Sequence, residues 1–133
     1  MMRLGTDIVY IPRIQAALER LGERILQRVY TSAEQQDCGC QRAMGNPLGS
    51  IKQLAGRWAA KEAVAKALGT GWRGVGYTDI EIRRELSGAP SVHLHGRARA
   101  VVAALGGGEL QLSLSHDQDY AIATALLICL TRP

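Results

Sequence analysis

Arg57-Trp58-Ala59-Ala60-Lys61-Glu62-Ala63-Val64-Ala65-Lys66-Ala67-Leu68, followed by Gly69-Thr70-Gly71, is the stretch on which the fold turns. It is rich in Ala, carries Leu, Lys and Glu, and holds no Pro. A Gly stands directly after its last apolar residue, which suits a helix with a left-handed C-terminal stop. At about 100° per residue, Ala59, Ala60, Ala63, Val64, Ala67 and Leu68 form one broad apolar arc. Glu62 and Lys66 flank that arc one turn apart, on the side of Trp58. Small side chains on such a face let another backbone come close. Two readings of the charged pair stand here. One is an ordinary Glu-to-Lys helix pair worth about 0.2–0.5 kcal/mol. The other is a carboxylate and an ammonium held at the border of core and solvent for chemistry.

Working upstream, Asn46-Pro47 has the form of a helix start, with Asn as cap and Pro in the first turn, so the long helix is expected to run from about Leu48 to Leu68. Gly49 and Gly56 weaken its first turns. A loop is expected around residues 39–45. Thr31-Ser32-Ala33-Glu34 has the spacing of a capping box and predicts a short helix. Pro12 suits the first turn of another, with Ile14, Ala17, Leu18 and Leu21 at helical spacing and Gly22 as a stop. Arg13, Arg20, Arg24 and Arg28 recur on a solvent-facing side. They make either a solvated face, diluted by Glu19 and Glu23, or a docking surface for an acidic partner. The chain opens on a strand, Leu4-Gly5-Thr6-Asp7-Ile8-Val9. Asp is a poor strand residue, so Asp7 either caps a turn at the strand end or ligates a cation.

Downstream, Gly69 to Gly76 is a Gly-rich loop. It follows a helix rather than preceding one, which excludes a Walker A loop or a dinucleotide fingerprint. It is a connector or a place where backbone approaches phosphate. Ile80 and Ile82 form a half-exposed strand, Ser87-Gly88-Ala89-Pro90 a turn, and Val92 and Leu94 the return strand, with His93 and His95 as solvated alternates. Arg97 to Leu105 is a helix ended by Gly106-Gly107-Gly108. Leu110, Leu112 and Leu114 alternate with polar residues in a half-buried strand. Ser115-His116-Asp117-Gln118-Asp119 is expected as a polar turn, and Tyr120 to Leu130 as a closing apolar strand. Adjacent Ser115, His116 and Asp117 cannot converge as a catalytic triad. His116 is either a turn histidine oriented by Asp117 or a site residue.

With 133 residues and 47% hydrophobic content, the chain is expected to form one compact domain over 1–133. No stretch is apolar enough for a membrane span and no charged-then-apolar start is present. Three Cys, two of them only two residues apart at Cys38 and Cys40, suggest a reducing, cytoplasmic setting rather than a disulfide framework. Cys38-Gly39-Cys40 has no second pair to complete a metal site. A net charge of +4 and pI near 9.3 favour an anionic partner. With no Phe and 5% aromatic content, a base-stacking platform is not expected, nor is nucleic acid as the partner.

Three stretches belong together: Gly5-Thr6-Asp7-Ile8-Val9, Trp58-Ala59-Ala60-Lys61-Glu62-Ala63 with Lys66 and Gly69-Thr70-Gly71, and Ser113-Leu114-Ser115-His116-Asp117 with Tyr120-Ala121. In this order and spacing the chain resembles the bacterial holo-[acyl-carrier-protein] synthases, within the 4′-phosphopantetheinyl transferase superfamily. The resemblance covers essentially the whole chain, and its middle motif is the most specific part. It implies an α+β fold with a long helix packed on an antiparallel sheet. It implies transfer of 4′-phosphopantetheine from coenzyme A to a serine of apo acyl carrier protein, releasing 3′,5′-ADP, in fatty acid biosynthesis and lipid metabolism. Asp7 and Glu62 match the family's Mg²⁺ ligands, and Lys66 the lysine beside the reacting phosphate. Ser115-His116 matches the Ser/Thr-His motif that contacts coenzyme A, and Gly69 and Gly71 would let backbone approach the cofactor. Family members form homotrimers with active sites between subunits, and Arg13, Arg20 and Arg24 would dock the carrier.

The residue chemistry suits that task. Mg²⁺ takes oxygen ligands, often one or two carboxylates plus substrate phosphates. Lys66 would stabilise or protonate the leaving phosphate oxygen. A metal-bound water or Glu62 would accept the serine proton. Two departures stand out: the family's Gly-Lys-Pro turn is Gly88-Ala89-Pro90 here, and Trp58 replaces the common Phe. Two other readings remain. A non-catalytic module for an anionic ligand would bind in a salt-dependent way without Asp7 or Glu62. A structural oligomer would carry the Glu62–Lys66 pair as a plain salt bridge.

Overall fold

The chain opens on β1 (Met2–Tyr10), passes through three short helices, α1 (Ile11–Leu21), α2 (Glu23–Val29) and α3 (Ser32–Asp37), and enters the long helix α4 (Ile51–Leu68). A 3-10 turn (Tyr77–Asp79) leads into the hairpin β2 (Ile80–Arg84) and β3 (Pro90–Leu94). Then come α5 (Gly96–Ala104) and a second hairpin, β4 (Gly108–Asp117) and β5 (Tyr120–Cys129). The structure is a computed structural model and describes residues 1–41 and 44–131. Residues 42 and 43, in the loop expected over 39–45, lie outside the described residues.

The sheet is antiparallel in the order β1-β5-β4, and β2-β3 form a separate ladder. α4 packs on β1 and β5, as an α+β fold with a long helix on an antiparallel sheet requires. The period-2 pattern decides which face does this. In β5, Ala121, Ala123, Ala125, Leu127 and Cys129 are buried toward the helix. On β1, Arg3, Gly5, Asp7 and Val9 face the same way. The outward face carries Met2, Leu4, Ile8 and Tyr10 from β1 and Tyr120 and Ile122 from β5, all exposed.

α4 is covered on nearly every side: 12 of its 18 residues are buried. The sheet takes Ala59, Ala63 and Ala67 into one cluster, while Leu54 and Ala55 join Ile14, Leu18, Leu26 and Tyr30 in a second. The Tyr30 hydroxyl, buried between them, donates to the Leu54 carbonyl at 2.6 Å. Two charged residues are sealed in the same region. Lys61 Nζ donates to Glu34 Oε1 at 2.8 Å, to the Tyr77 carbonyl at 2.9 Å, and to the Ile80 carbonyl. Glu34 also accepts from the backbone N–H of Thr31 and of Ile82. The capping box at Thr31 is present, and it doubles as the anchor of this pair.

The helix start differs from the expected one. α4 begins at Ile51 with Ser50 as cap, its side chain accepting from Gln53 N at 3.3 Å. Asn46 instead pairs with Gln41 in an isolated antiparallel bridge. Gly49 sits at φ 59°, outside helical space, and Ser50 N donates to the Cys38 carbonyl. At the other end, Gly69 takes the left-handed stop at φ 81°. The Arg3 guanidinium lies over it, donating to the Ala67 and Leu68 carbonyls at 2.8 and 3.3 Å. The expected polar turn at Ser115–Asp119 also shrinks. β4 pairs through Asp117↔Tyr120, leaving a two-residue turn with Gln118 at φ 52°.

Gly5 sets the distance between β1 and α4. A Cβ there would run into the Ala63 carbonyl oxygen and stand 2.7 Å from Ala67 N. Both obstacles are helix backbone and cannot rotate away. Gly5→Ala is therefore expected to cost about 1–3 kcal/mol by overpacking, read as a lower urea midpoint. An unchanged midpoint would mean the strand can lift off the helix freely.

Candidate active site

The contact at Gly5 brings the next inward residue, Asp7, beside the middle of α4. Successive inward positions on β1 advance about 6.8 Å, slightly more than one helical turn. Since Arg3 meets Ala67 and Leu68, β1 runs toward the start of the helix. Asp7 Oδ1 accepts from Lys66 Nζ at 3.2 Å, and the same ammonium donates to the Thr6 carbonyl at 2.9 Å. The Asp7 side chain is 18% exposed and that of Lys66 54%. The carboxylate is thus sheltered at the strand, and the cation reaches it from solvent.

Glu62 is one turn before Lys66, yet the two do not pair. Trp72 Nε1 donates to Glu62 Oε2 at 3.1 Å, and the Tyr77 hydroxyl to Oε1 at 3.5 Å. The plain Glu62–Lys66 helix salt bridge is overturned: each partner has a longer-range one. Burial, then the Glu62 charge and its hydrogen bond, push the Tyr77 hydroxyl above its ordinary range, so it stays a donor. The Trp72 and Tyr77 rings stack with centroids 4.0 Å apart and planes at 27°.

His116 and Ser115 separate. On β4, His116 shares the inward face with Leu110, Leu112 and Leu114, whereas Ser115 faces outward beside Ile122. The His116 ring rests against α4 at Gly56, where a Cβ would lie 3.0 Å from Nε2. Gly56 precedes Glu62 by six residues, about 9 Å along the axis. Within one chain, then, Asp7, Glu62 and Lys66 lie along the second half of α4 and His116 lies against an earlier turn at Gly56. Gly69 and Gly71 follow the first group directly. The turn Gly71 N–H donates back to the Ala65 carbonyl at 3.3 Å.

Two surface features adjoin these two places. Beside His116 lies a hollow of about 210 Å³ whose walls include Arg57, Arg83, Arg84, Gly88 and Pro90. Asp37 partly neutralises it, at 3.0 Å from Arg83 and 3.9 Å from Arg57. Sequence reasoning missed these arginines: Arg57 is far in sequence from the adjacent Arg83 and Arg84 and meets them only where β2 packs on α4. Beside Tyr77 and Trp58 a groove of about 430 Å³ runs along α2, floored by Leu21, Ile25 and Val29 and rimmed by Arg24 and Arg28. Arg13, Arg20 and Arg24 are all exposed; Ile14 and Leu18 anchor α1, which carries the first two, and Leu26 and Val29 anchor α2, which carries Arg24. His93 and His95 are held by Ser91 and Glu81 on the other hairpin. The three cysteines form no disulfide, and burial pushes the Cys38 thiol up to about 12. No helix among the described residues is long and apolar enough to cross a membrane.

Comparison with known proteins gives the chain a family and matches its fold. The profile of the 4′-phosphopantetheinyl transferase superfamily covers residues 3–125. A holo-[acyl-carrier-protein] synthase of Gloeobacter violaceus is 53% identical over 126 residues, 95% of this chain and 92% of that one. The crystal structure of the synthase from Neisseria meningitidis superposes with a TM-score of 0.80 at 33% identity, over 95% of this chain and 97% of the other. A synthase–coenzyme A complex from Chronobacterium ammoniagenes gives 0.80 at 32% identity, over 98% and 99%.

Proposed function

The chain belongs to the 4′-phosphopantetheinyl transferase superfamily, and from that membership we propose the reaction, the roles of its residues and its assembly. The protein is a transferase. It moves 4′-phosphopantetheine from coenzyme A to a serine of apo acyl carrier protein, giving the holo carrier and 3′,5′-ADP. The serine oxygen forms the new bond to the phosphorus that bears pantetheine, the bond from that phosphorus to the 3′,5′-ADP oxygen breaks, and the serine proton is released.

Asp7 and Glu62 suit Mg²⁺. They are oxygen donors carried by touching elements, and neither is sealed in a buried ion pair. Two carboxylates suffice for an ion that also takes substrate phosphate and water. When bound, Mg²⁺ would neutralise charge on the diphosphate. Lys66, mostly exposed and held only at its tip, would swing to the leaving phosphate oxygen. Gly69 and Gly71 would let backbone approach the cofactor. The arginine hollow beside His116 would hold the anionic nucleotide end, a setting in which Ala89 need not supply a cation. Arg13, Arg20 and Arg24 would dock the acidic carrier.

The observation that carries this reading is the contact of Asp7 with Lys66, one turn along α4 from Glu62. The outward apolar face of β1 and β5 supports a homotrimer, since single chains rarely leave so much apolar surface exposed. In a trimer a neighbour's His116 would stand at the Glu62 end, and Ser115 with it at the interface. The whole chain would act as one domain, in the cytoplasm, in fatty acid biosynthesis. Incubation with coenzyme A, Mg²⁺ and apo carrier should add one phosphopantetheine to the carrier by mass spectrometry. Several carriers all left unmodified would refute the transfer. Sedimentation should give three times the 14.4 kDa chain mass; a monomer at micromolar concentration would refute the trimer.

A further inference from the structure

The loop from Gly69 to Gly76 is anchored at its far end, where Val75 is buried in the core and Gly76 N donates to Asp79 Oδ2 at 3.0 Å; its first half is held by longer bonds. Gly71 N donates to the Ala65 carbonyl and Arg73 N to that of Thr70, both at 3.3 Å. Its one aromatic side chain, Trp72, turns back onto α4 and spends its single side-chain donor on Glu62 Oε2 at 3.1 Å. A ring needed only for packing could stack on Tyr77 without an N–H. Here the N–H is aimed at a carboxylate oxygen while the ring stacks on Tyr77, whose hydroxyl takes the other oxygen. Tyr77 cannot drift, because buried Lys61 holds its carbonyl and Glu34 holds Lys61. Rigid support therefore runs from the capping box of α3, through the sealed ion pair, to the two rings that grip Glu62.

We propose that Trp72 is a positioning residue for the metal: its indole N–H sets the orientation of the Glu62 carboxylate and ties the Gly-rich loop to it. The proposal rests on Glu62 being a Mg²⁺ ligand. A free glutamate on a half-buried helix flank samples several rotamers, whereas a ligand oxygen that already accepts a fixed hydrogen bond is oriented before the ion arrives. Such outer partners are generally worth about 10–100-fold in metal affinity. The grip also makes loop and carboxylate move together. Backbone at Gly69 and Gly71 is thus placed relative to the ion rather than left to find the cofactor independently.

The test uses Mn²⁺ as probe, counted by its free-ion electron paramagnetic resonance signal, with the intact protein, coenzyme A and no carrier. Trp72→Phe keeps the stack and removes the donor. It should weaken Mn²⁺ binding by about 10-fold or more while the melting temperature stays close to wild type. Wild-type affinity in Trp72→Phe, with binding lost in Glu62→Ala, overturns the positioning role and leaves the metal reading standing. Wild-type affinity in Glu62→Ala overturns both. A second measurement needs no Trp72 variant. In ¹⁵N-labelled protein the Trp72 indole N–H signal should shift on adding Mg²⁺, and Glu62→Ala should abolish that response. A signal indifferent to Mg²⁺ in the native protein overturns the proposal.

Discussion

Glu62→Ala is expected to lower the turnover of phosphopantetheine transfer by about 10³-fold or more at saturating coenzyme A and carrier. A metal that neutralises a diphosphate supplies several kcal/mol of transition-state stabilisation, and about 4 kcal/mol corresponds to about 10³ in rate. Asp7→Ala should fall as far, because the remaining carboxylate alone would hold the ion loosely. The fold should survive both changes. Glu62 is half-buried with two hydrogen bonds from aromatic donors, and a typical bond contributes about 1 kcal/mol. Asp7 gives up one contact with a mostly exposed ammonium, a kind of pair worth little. Carrier mass shift against time measures the rate, and circular dichroism checks the fold. Folded Asp7→Ala and Glu62→Ala enzymes that both turn over near the wild-type rate would dismiss the metal assignment.

Lys61→Met should be strongly destabilising although it leaves Asp7 and Glu62 untouched. It removes the ammonium but leaves Glu34 sealed from water with a charge it cannot share. Breaking one side of a buried pair costs about 3–5 kcal/mol, a large part of the ~5–15 kcal/mol that holds a domain together. The native lysine is already under tension: burial lowers its pKa, and Glu34 pulls it back up. Adding Glu34→Gln to Lys61→Met should restore part of the loss by removing the orphaned charge. Restoration should be incomplete, because Glu34 also accepts from the Thr31 and Ile82 backbone. Urea denaturation of the singles and the double gives the cycle. A loss below about 1 kcal/mol in Lys61→Met would show that water reaches the pair.

Much of the fold is legible from local periodicity. The alternation of Leu110, Leu112 and Leu114 with polar residues is the burial pattern of β4, and the Ala-rich run with its Gly stop is a helix with the expected end. Local signals failed where distant contacts arbitrated. Asn46-Pro47 looks like a helix start, but the bond from Ser50 N to the Cys38 carbonyl and the backbone of Gly49 move the start to Ile51. The spacing of Glu62 and Lys66 placed them on one flank correctly, yet could not show that β1 takes Lys66 while the following loop takes Glu62. Lys61 is next to Glu62 in sequence and chemically unremarkable among alanines. Only the arrival of α3 and β2 seals it. Ser115 and His116 are adjacent in sequence and therefore opposite in a strand, which became clear once β4 was seen to run through Asp117.

The layer between α4 and the sheet is built from the smallest side chains available: Gly5 on β1, Ala121, Ala123 and Ala125 on β5, and Ala59, Ala63 and Ala67 on α4. Such residues have no rotamers, so they work as shims of fixed thickness. A core of leucines could absorb a substitution by repacking; this one has no slack, and an added methylene would appear as a wider gap between Asp7 on one wall and Glu62 on the other. Tolerance to mutation should therefore be low even at residues that touch no substrate. In a library screened for transfer, enlarging substitutions at these alanines should be depleted almost as strongly as changes to the carboxylates they hold in gauge.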